Sequence, residues 1–168
     1  MDRRDNIPDL RIQPVSENDV ALLLTFIREL AEYERLADKV VTTELVLRDS
    51  LFGARPAAEA LIAYLNDEPV AFAIWFYNFS SFLGQPGLYI EDIYVRPHAR
   101  GRGVGKALLL HLARLAKERR CARMEWSVLD WNQPAISFYK GLGARPMDEW
   151  TTFRLDAHAL ARLAEDPP

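Results

Sequence analysis

Apolar and polar positions alternate along Leu10-Arg11-Ile12-Gln13, as in a strand with one buried face. Ser16 followed three residues later by Asp19 makes a capping-box start, after which Val20, Leu23, Leu24, Ile27, Leu30 and Ala31 recur at helical spacing. A shorter helix is predicted from Thr42 or Thr43, carrying Val46, Leu47 and Leu51. Two apolar runs, Ala60–Leu65 and Val70–Tyr77, flank Asn66-Asp67-Glu68-Pro69 and read as an antiparallel hairpin. The uncharged stretch continues to Ile90, but Asn78, Ser80, Ser81, Gln85 and a Pro86-Gly87 turn break it. A buried strand followed by a loop is therefore expected, and no membrane span. Leu88–Val95 reads as a fourth strand. A third helix carries Val104, Leu108, His111, Leu112 and Leu115 on one stripe, and Met124–Leu129 reads as a fifth strand. A helix from Asn132 to Leu142 stops at Gly143. Thr151–Leu155 reads as a last strand, with a short frayed helix after Ala157. Strands in succession combined with helical crossovers imply an α/β domain with a mixed sheet.

The chain has 168 residues, 49% of them hydrophobic and 27% charged, which is the size and make-up of one globular domain. The domain is expected over residues 10–156, between a polar tail at 1–9 and a C-terminal tail at 157–168. Cys121 is the only cysteine, so an internal disulfide and zinc sites built from Cys pairs are excluded. It follows Arg119-Arg120, a setting that lowers a thiol pKa, but no His/Asn constellation marks it as a nucleophile. His98, His111 and His158 lack ligand spacing, and no metal is expected. The net charge of −3 argues against a dedicated nucleic-acid binder. Met1–Asn6 is polar with no apolar run after it, so a signal peptide is not expected; together with the single thiol this points to the cytoplasm.

Arg96-Pro97-His98-Ala99-Arg100-Gly101-Arg102-Gly103-Val104-Gly105-Lys106 changes that picture locally. It joins a strand to an amphipathic helix and holds Arg96, Arg100, Arg102 and Lys106 without one acid. Alternate glycines permit torsions and close approaches that side chains forbid, and the first turn of a helix offers N–H groups with no internal partner. Such a start suits a phosphate or pyrophosphate. The spacing is neither that of a P-loop nor GxGxxG. Arg100-Gly101-Arg102-Gly103-Val104-Gly105 resembles the pyrophosphate loop of the GNAT N-acetyltransferases. Three further blocks resemble the diamine (spermidine/spermine) and thialysine acetyltransferase branch of that family: Glu29–Glu34, Leu88–Val95 and Val128–Gln133. The resemblance spans about Leu10 to Leu155. It implies a single-domain fold with a mixed, mostly antiparallel sheet flanked by helices, acetyl-coenzyme A as co-substrate and a homodimer. It places the cofactor along Ile93, Tyr94 and Val95, and on Arg100, Gly101, Arg102, Gly103, Val104, Gly105 and Lys106.

Glu91 and Asp92 interrupt an otherwise apolar strand, where an ionised carboxylate is costly unless paired or hydrogen-bonded. Alternation puts Glu91 with Tyr89 and Ile93, and Asp92 with Ile90 and Tyr94, so the two share no site unless a bulge re-aims them. Asp92 is expected to pair with an arginine or cap a backbone group. Glu91 is expected to attract an ammonium substrate and relay its proton through water, the role the resemblance also implies. Asn132 suits a helix N-cap, and Tyr139, two turns on, shares its face. The segment resembles the family's Asn-x-x-Ala-x-x-x-Tyr motif, which implies that Asn132 helps place the cofactor and that Tyr139 protonates the departing thiolate.

The expected reaction is direct, sequential acetyl transfer to a primary amine, with a backbone N–H of Ile93–Tyr94 stabilising the oxyanion. Tyr33, Glu34, Glu91, Asp92, Trp126 and Glu149 are the expected amine-site residues. The polyamine enzymes of the branch carry an Asp and a Trp where this chain has Ser80 and Phe82, whereas the thialysine type has Ser there. A lysine-like small molecule is therefore preferred over spermidine, with a non-catalytic coenzyme-A binder as the remaining alternative. Neither nucleic acid nor membrane is an expected partner.

Overall fold

The computed structural model describes residues 7–165; Met1–Asn6 and residues 166–168, parts of the two expected tails, lie outside them. The chain forms two compact units, one ending at Leu129 and one beginning at Asp130. The first contains β1 (Leu10–Pro14), α1 (Val20–Tyr33), α2 (Glu44–Phe52), β2 (Glu59–Leu65), β3 (Glu68–Ser80), β4 (Gln85–Val95), α3 (Val104–Glu118) and β5 (Arg123–Trp126). The second contains α4 (Gln133–Gly141) and α5 (Ala157–Glu165). The sheet runs β1-β2-β3-β4-β5. Its first three pairings are antiparallel, and β5 lies parallel to β4, as the α3 crossover between them requires. The mixed, mostly antiparallel sheet is the one expected. Among the described residues no helix is long and apolar enough to cross a membrane.

The helix starts follow their capping residues. Asp19 Oδ2 accepts from the Ser16 N–H at 2.8 Å and from the Ser16 hydroxyl at 2.6 Å. Thr43 Oγ1 accepts from the Val46 N–H at 3.3 Å, which fixes the start of α2. Alternate strand residues divide between two layers. Ile62, Phe72, Ile74 and Tyr94 pack with Leu23, Phe26 and Leu30 of α1 and with Leu47 and Leu51 of α2. Ala63, Leu65, Val70 and Ala71 pack with Val104 and Leu108 of α3.

Arg96 ties the end of β4 to α1. Its guanidinium donates to both Glu29 oxygens, at 2.9 and 2.7 Å, and to the Pro69 carbonyl at 2.7 Å, and it lies 4.5 Å from the Phe26 ring centroid. Its charge is therefore compensated within the fold and is not offered to a ligand. Removing one member of such a pair leaves the other buried and uncompensated; allowing for partial exposure of both side chains, Arg96→Met should cost about 2 kcal/mol. A urea midpoint unchanged from the parent protein would show that Arg96 does not hold α1 to the sheet.

Three expectations are corrected. Thr151–Leu155 is not a strand: it is irregular, with Phe153 91% exposed, because alternating side chains make no strand without a ladder partner. β5 ends at Trp126 and does not reach Leu129. Pro86 and Gly87 are not a turn but paired residues of β4, opposite Phe79 and Asn78. The turn lies between Ser80 and Gln85, where Gly84 has φ 64° and Ser80 Oγ accepts from the Leu83 N–H at 3.3 Å.

Candidate active site

The register of β3 against β4 is regular except at one point. Ile74 faces Asp92 and Trp75 faces Ile90, so Glu91 is the extra residue of a β-bulge. Alternation then restarts. Tyr94 stays on the face of Asp92, toward α1 and α2, but Ile90 and Ile93 lie on the α3 face, contrary to the expected grouping. Tyr89 lies opposite Phe76, on the α1 side, and Glu91 follows it by alternation. The bulge thus brings both carboxylates to one face, the condition under which they can act together.

Glu91 is exposed and Asp92 is mostly buried. Among the described residues no cation pairs with Asp92 and no backbone group is capped by it, so the expected arginine partner is absent. Burial first, then the negative charges of Glu91 and Glu34, push its carboxyl from 3.8 up to about 6. Glu34, at the C-terminal end of α1, is itself raised by burial. Three carboxylates thus lie close enough to repel one another, and among the described residues no cation pairs with Asp92 at their centre. A protonated amine relieves that repulsion.

Beyond the bulge, β4 leads into the glycine loop. The parallel ladder ends at Ile90–Trp126, so among the described residues Ile93–Val95 are paired on the β3 side only, and their other backbone edge has no strand partner. Gly101 and Gly103 have φ 74° and 86°, values that favour glycine. Gly103 is the N-cap of α3 and supplies no side-chain acceptor to the first-turn N–H donors of this 15-residue helix. A Cβ built on Gly101 meets nothing within 4 Å. Val104, fully buried, anchors that turn against the sheet, with Gly105 beside it; Arg102 and Lys106 are exposed. These features suit a diphosphate held by backbone donors.

Arg100 is turned the other way. Its Nε donates to the Val95 carbonyl at 2.8 Å, and its guanidinium lies 4.5 Å from the Tyr33 ring centroid and 5.5 Å from that of Tyr94. Arg96 and Arg100, both counted among the cations of the loop, are thus engaged by the fold. Sequence reasoning missed the partners because Glu29 and Tyr33 lie on α1, far away along the chain.

Trp126 is half-buried on β5. Ser80 is buried in the hairpin turn, and Phe82 is 97% exposed at its tip. The Cys121 thiol is raised, not lowered: burial outweighs the charge of Arg119. In the second unit Asn132 caps α4, its Oδ1 accepting from the Ala135 N–H at 3.4 Å. Tyr139, partly buried and in ring contact with Phe138, follows two turns on, and Glu149 is exposed. Among the described residues no group of three or more His, Cys, Asp or Glu is arranged to hold a metal.

A strand edge without a ladder partner, running into a glycine-rich helix start on a mixed sheet, suits a diphosphate-bearing cofactor. Residues 25–144 match the model of the acetyltransferase (GNAT) family. The chain belongs to that family and is an acyltransferase; acetyl-coenzyme A is the family's co-substrate. A thialysine N-epsilon-acetyltransferase of Sus scrofa is 37% identical over 164 residues, covering 91% of this chain and 96% of that protein. An L-ornithine N5-acetyltransferase of Arabidopsis thaliana is 32% identical, covering 91% of this chain and 87% of that protein. Among solved structures, an integron cassette protein of V. cholerae has a TM-score of 0.79 at 27% identity, over 94% of this chain and 99% of that one.

Proposed function

We propose that the protein acetylates the terminal primary amine of a small, lysine-like amino acid by direct transfer. The observation that carries this reading is the grouping of Glu34, Glu91 and Asp92 by the bulge, one strand-turn from the edge of β4 that has no strand partner. Its support on the cofactor side is the positive-φ glycine loop, and on the amine side the relatives named for thialysine and ornithine acetylation. When bound, acetyl-coenzyme A supplies the acetyl group as a thioester. Backbone N–H groups from Gly101 to Lys106 hold the diphosphate, and Ile93 to Val95 orient the pantetheine arm. The carboxylates of Glu34, Glu91 and Asp92 attract the ammonium, with Tyr33 and Trp126 as walls and Glu149 as a further acid. An amine of pKa near 10 must lose a proton before it attacks. Glu91, exposed at the bulge, takes that proton through water, and Asp92 keeps the site negative. The N–H of Ile93 or Tyr94 donates to the carbonyl oxygen as charge builds there. Asn132 positions α4, and the Tyr139 hydroxyl protonates the leaving thiolate.

We take the enzyme to be a cytoplasmic homodimer that engages neither membrane nor nucleic acid: the dimer is what the resemblance to the branch implies, and the net charge of −3 argues against nucleic acid. A polyamine is the second reading, favoured by the number of uncompensated carboxylates. The test is release of free thiol from acetyl-coenzyme A with thialysine, lysine, ornithine, spermidine and putrescine. Turnover is expected first with the amino acids. Preference for spermidine would move the assignment to the second reading, and no turnover with any amine would end it.

A further inference from the structure

The face that carries Asp92 and Glu91 continues along β4 toward the hairpin, past the cover of α1 and α2. There Gly87 lies between Asn78 of β3 and Arg123 of β5. A Cβ on Gly87 would stand 2.3 Å from Asn78 Oδ1 and 3.2 Å from Arg123 Cγ, so the missing side chain is what lets these two converge over β4. Asn78 Nδ2 donates to Glu125 Oε2 at 3.0 Å, and Arg123 Nε reaches the same oxygen at 2.9 Å. Both partners use one oxygen. Among the described residues, Glu125 Oε1 and the terminal guanidinium nitrogens of Arg123 make no further hydrogen bond. The pair remains open to solvent, with side chains 40% and 34% exposed. It presents a fixed positive fork beside a fixed carboxylate.

Glu125 stands opposite Tyr89, two residues before Glu91. Two residues of strand cover about 6.6 Å. The five bonds from the side-chain nitrogen of a lysine-length amino acid to its α-carbon span about 6 Å when extended. A substrate whose terminal amine lies at the Glu91–Asp92 bulge therefore brings its α-carbon to the level of Glu125.

We propose that Arg123 and Glu125 form the specificity site for the α-amino-carboxylate end of the acceptor. The Arg123 fork takes the carboxylate and Glu125 Oε1 takes the α-ammonium, with Asn78 holding Glu125 in place. This rests on the amine-acetyltransferase reading above and names what separates an amino acid from a diamine of equal length.

Steady-state kinetics with thialysine and with its analogue lacking the carboxylate test it. Arg123→Gln is expected to lower kcat/KM for thialysine roughly 10- to 100-fold, the worth of a charge-assisted hydrogen bond, and to leave the decarboxylated amine within about twofold. Arg123→Lys should restore part of the loss. Equal loss on both substrates would mean that the pair only supports β5, and no loss on either would remove it from recognition; both overturn the proposal and leave the transferase reading standing. If the parent enzyme releases thiol with neither substrate, it is the functional reading itself that falls.

Discussion

Asp92→Asn is expected to make the protein more stable at pH 8 and much less active. The carboxyl is held near 6 in the fold against 3.8 for an ordinary aspartate. Between those values the native state keeps a proton that the unfolded chain has lost, so stability falls as pH rises from about 4 to about 6, and the full penalty stands above that range. At about 1.4 kcal/mol per pH unit, it amounts to about 3 kcal/mol. Asparagine carries no charge at either end of the range. The variant should therefore gain about 2 kcal/mol at pH 8 and almost nothing at pH 3. The same charge is what attracts an ammonium in the proposed mechanism, so kcat/KM for the amine should fall about 100-fold. Urea denaturation at the two pH values separates the effects. An identical difference at both would show that Asp92 is not ionised at a cost. The parent enzyme's kcat/KM should itself decline below about pH 6, as Asp92 takes up its proton.

The second large effect is expected at Tyr139. Its hydroxyl is the proposed proton donor to a thiolate whose conjugate acid has a pKa of about 8.5. Tyr139→Phe removes that hydroxyl and keeps the ring that meets Phe138. Turnover should fall about 100-fold, while the Kd for acetyl-coenzyme A, measured by calorimetry, stays within about twofold. A matching loss of affinity would make Tyr139 a binding residue, and unchanged turnover would leave the thiolate to find its proton elsewhere.

The sequence carried the fold where local chemistry decides it. Leu10 to Gln13, the periodic stripe from Val20 to Ala31 and the caps at Thr43 and Asn132 predict their elements within a residue or two. The glycine loop could be read because positive φ at Gly101 and Gly103 is a local demand. What could not be read depends on partners distant in the chain. The bulge exists only in the pairing of Ile74 with Asp92 and Trp75 with Ile90, so strict alternation separated two carboxylates that the sheet reunites. Arg96 reads as a free cation until Glu29 is found 67 residues away. Pro86-Gly87 reads as a turn because nothing local shows that Asn78 crosses over that glycine. Thr151–Leu155 has the alternation of a strand but no ladder to join.

The bulge also governs where the length of β4 can change. Losing one residue within a regular stretch would turn every side chain beyond it to the opposite face, exchanging Tyr94 with Val95 between two cores. Losing Glu91 leaves Ile90 opposite Trp75 and Asp92 opposite Ile74, a continuous ladder with both cores intact. Insertions and deletions that the strand can absorb are therefore confined to the position where the amine is proposed to meet its base. The reach of the site toward its substrate can be altered there, by a whole residue, without remaking the protein around it.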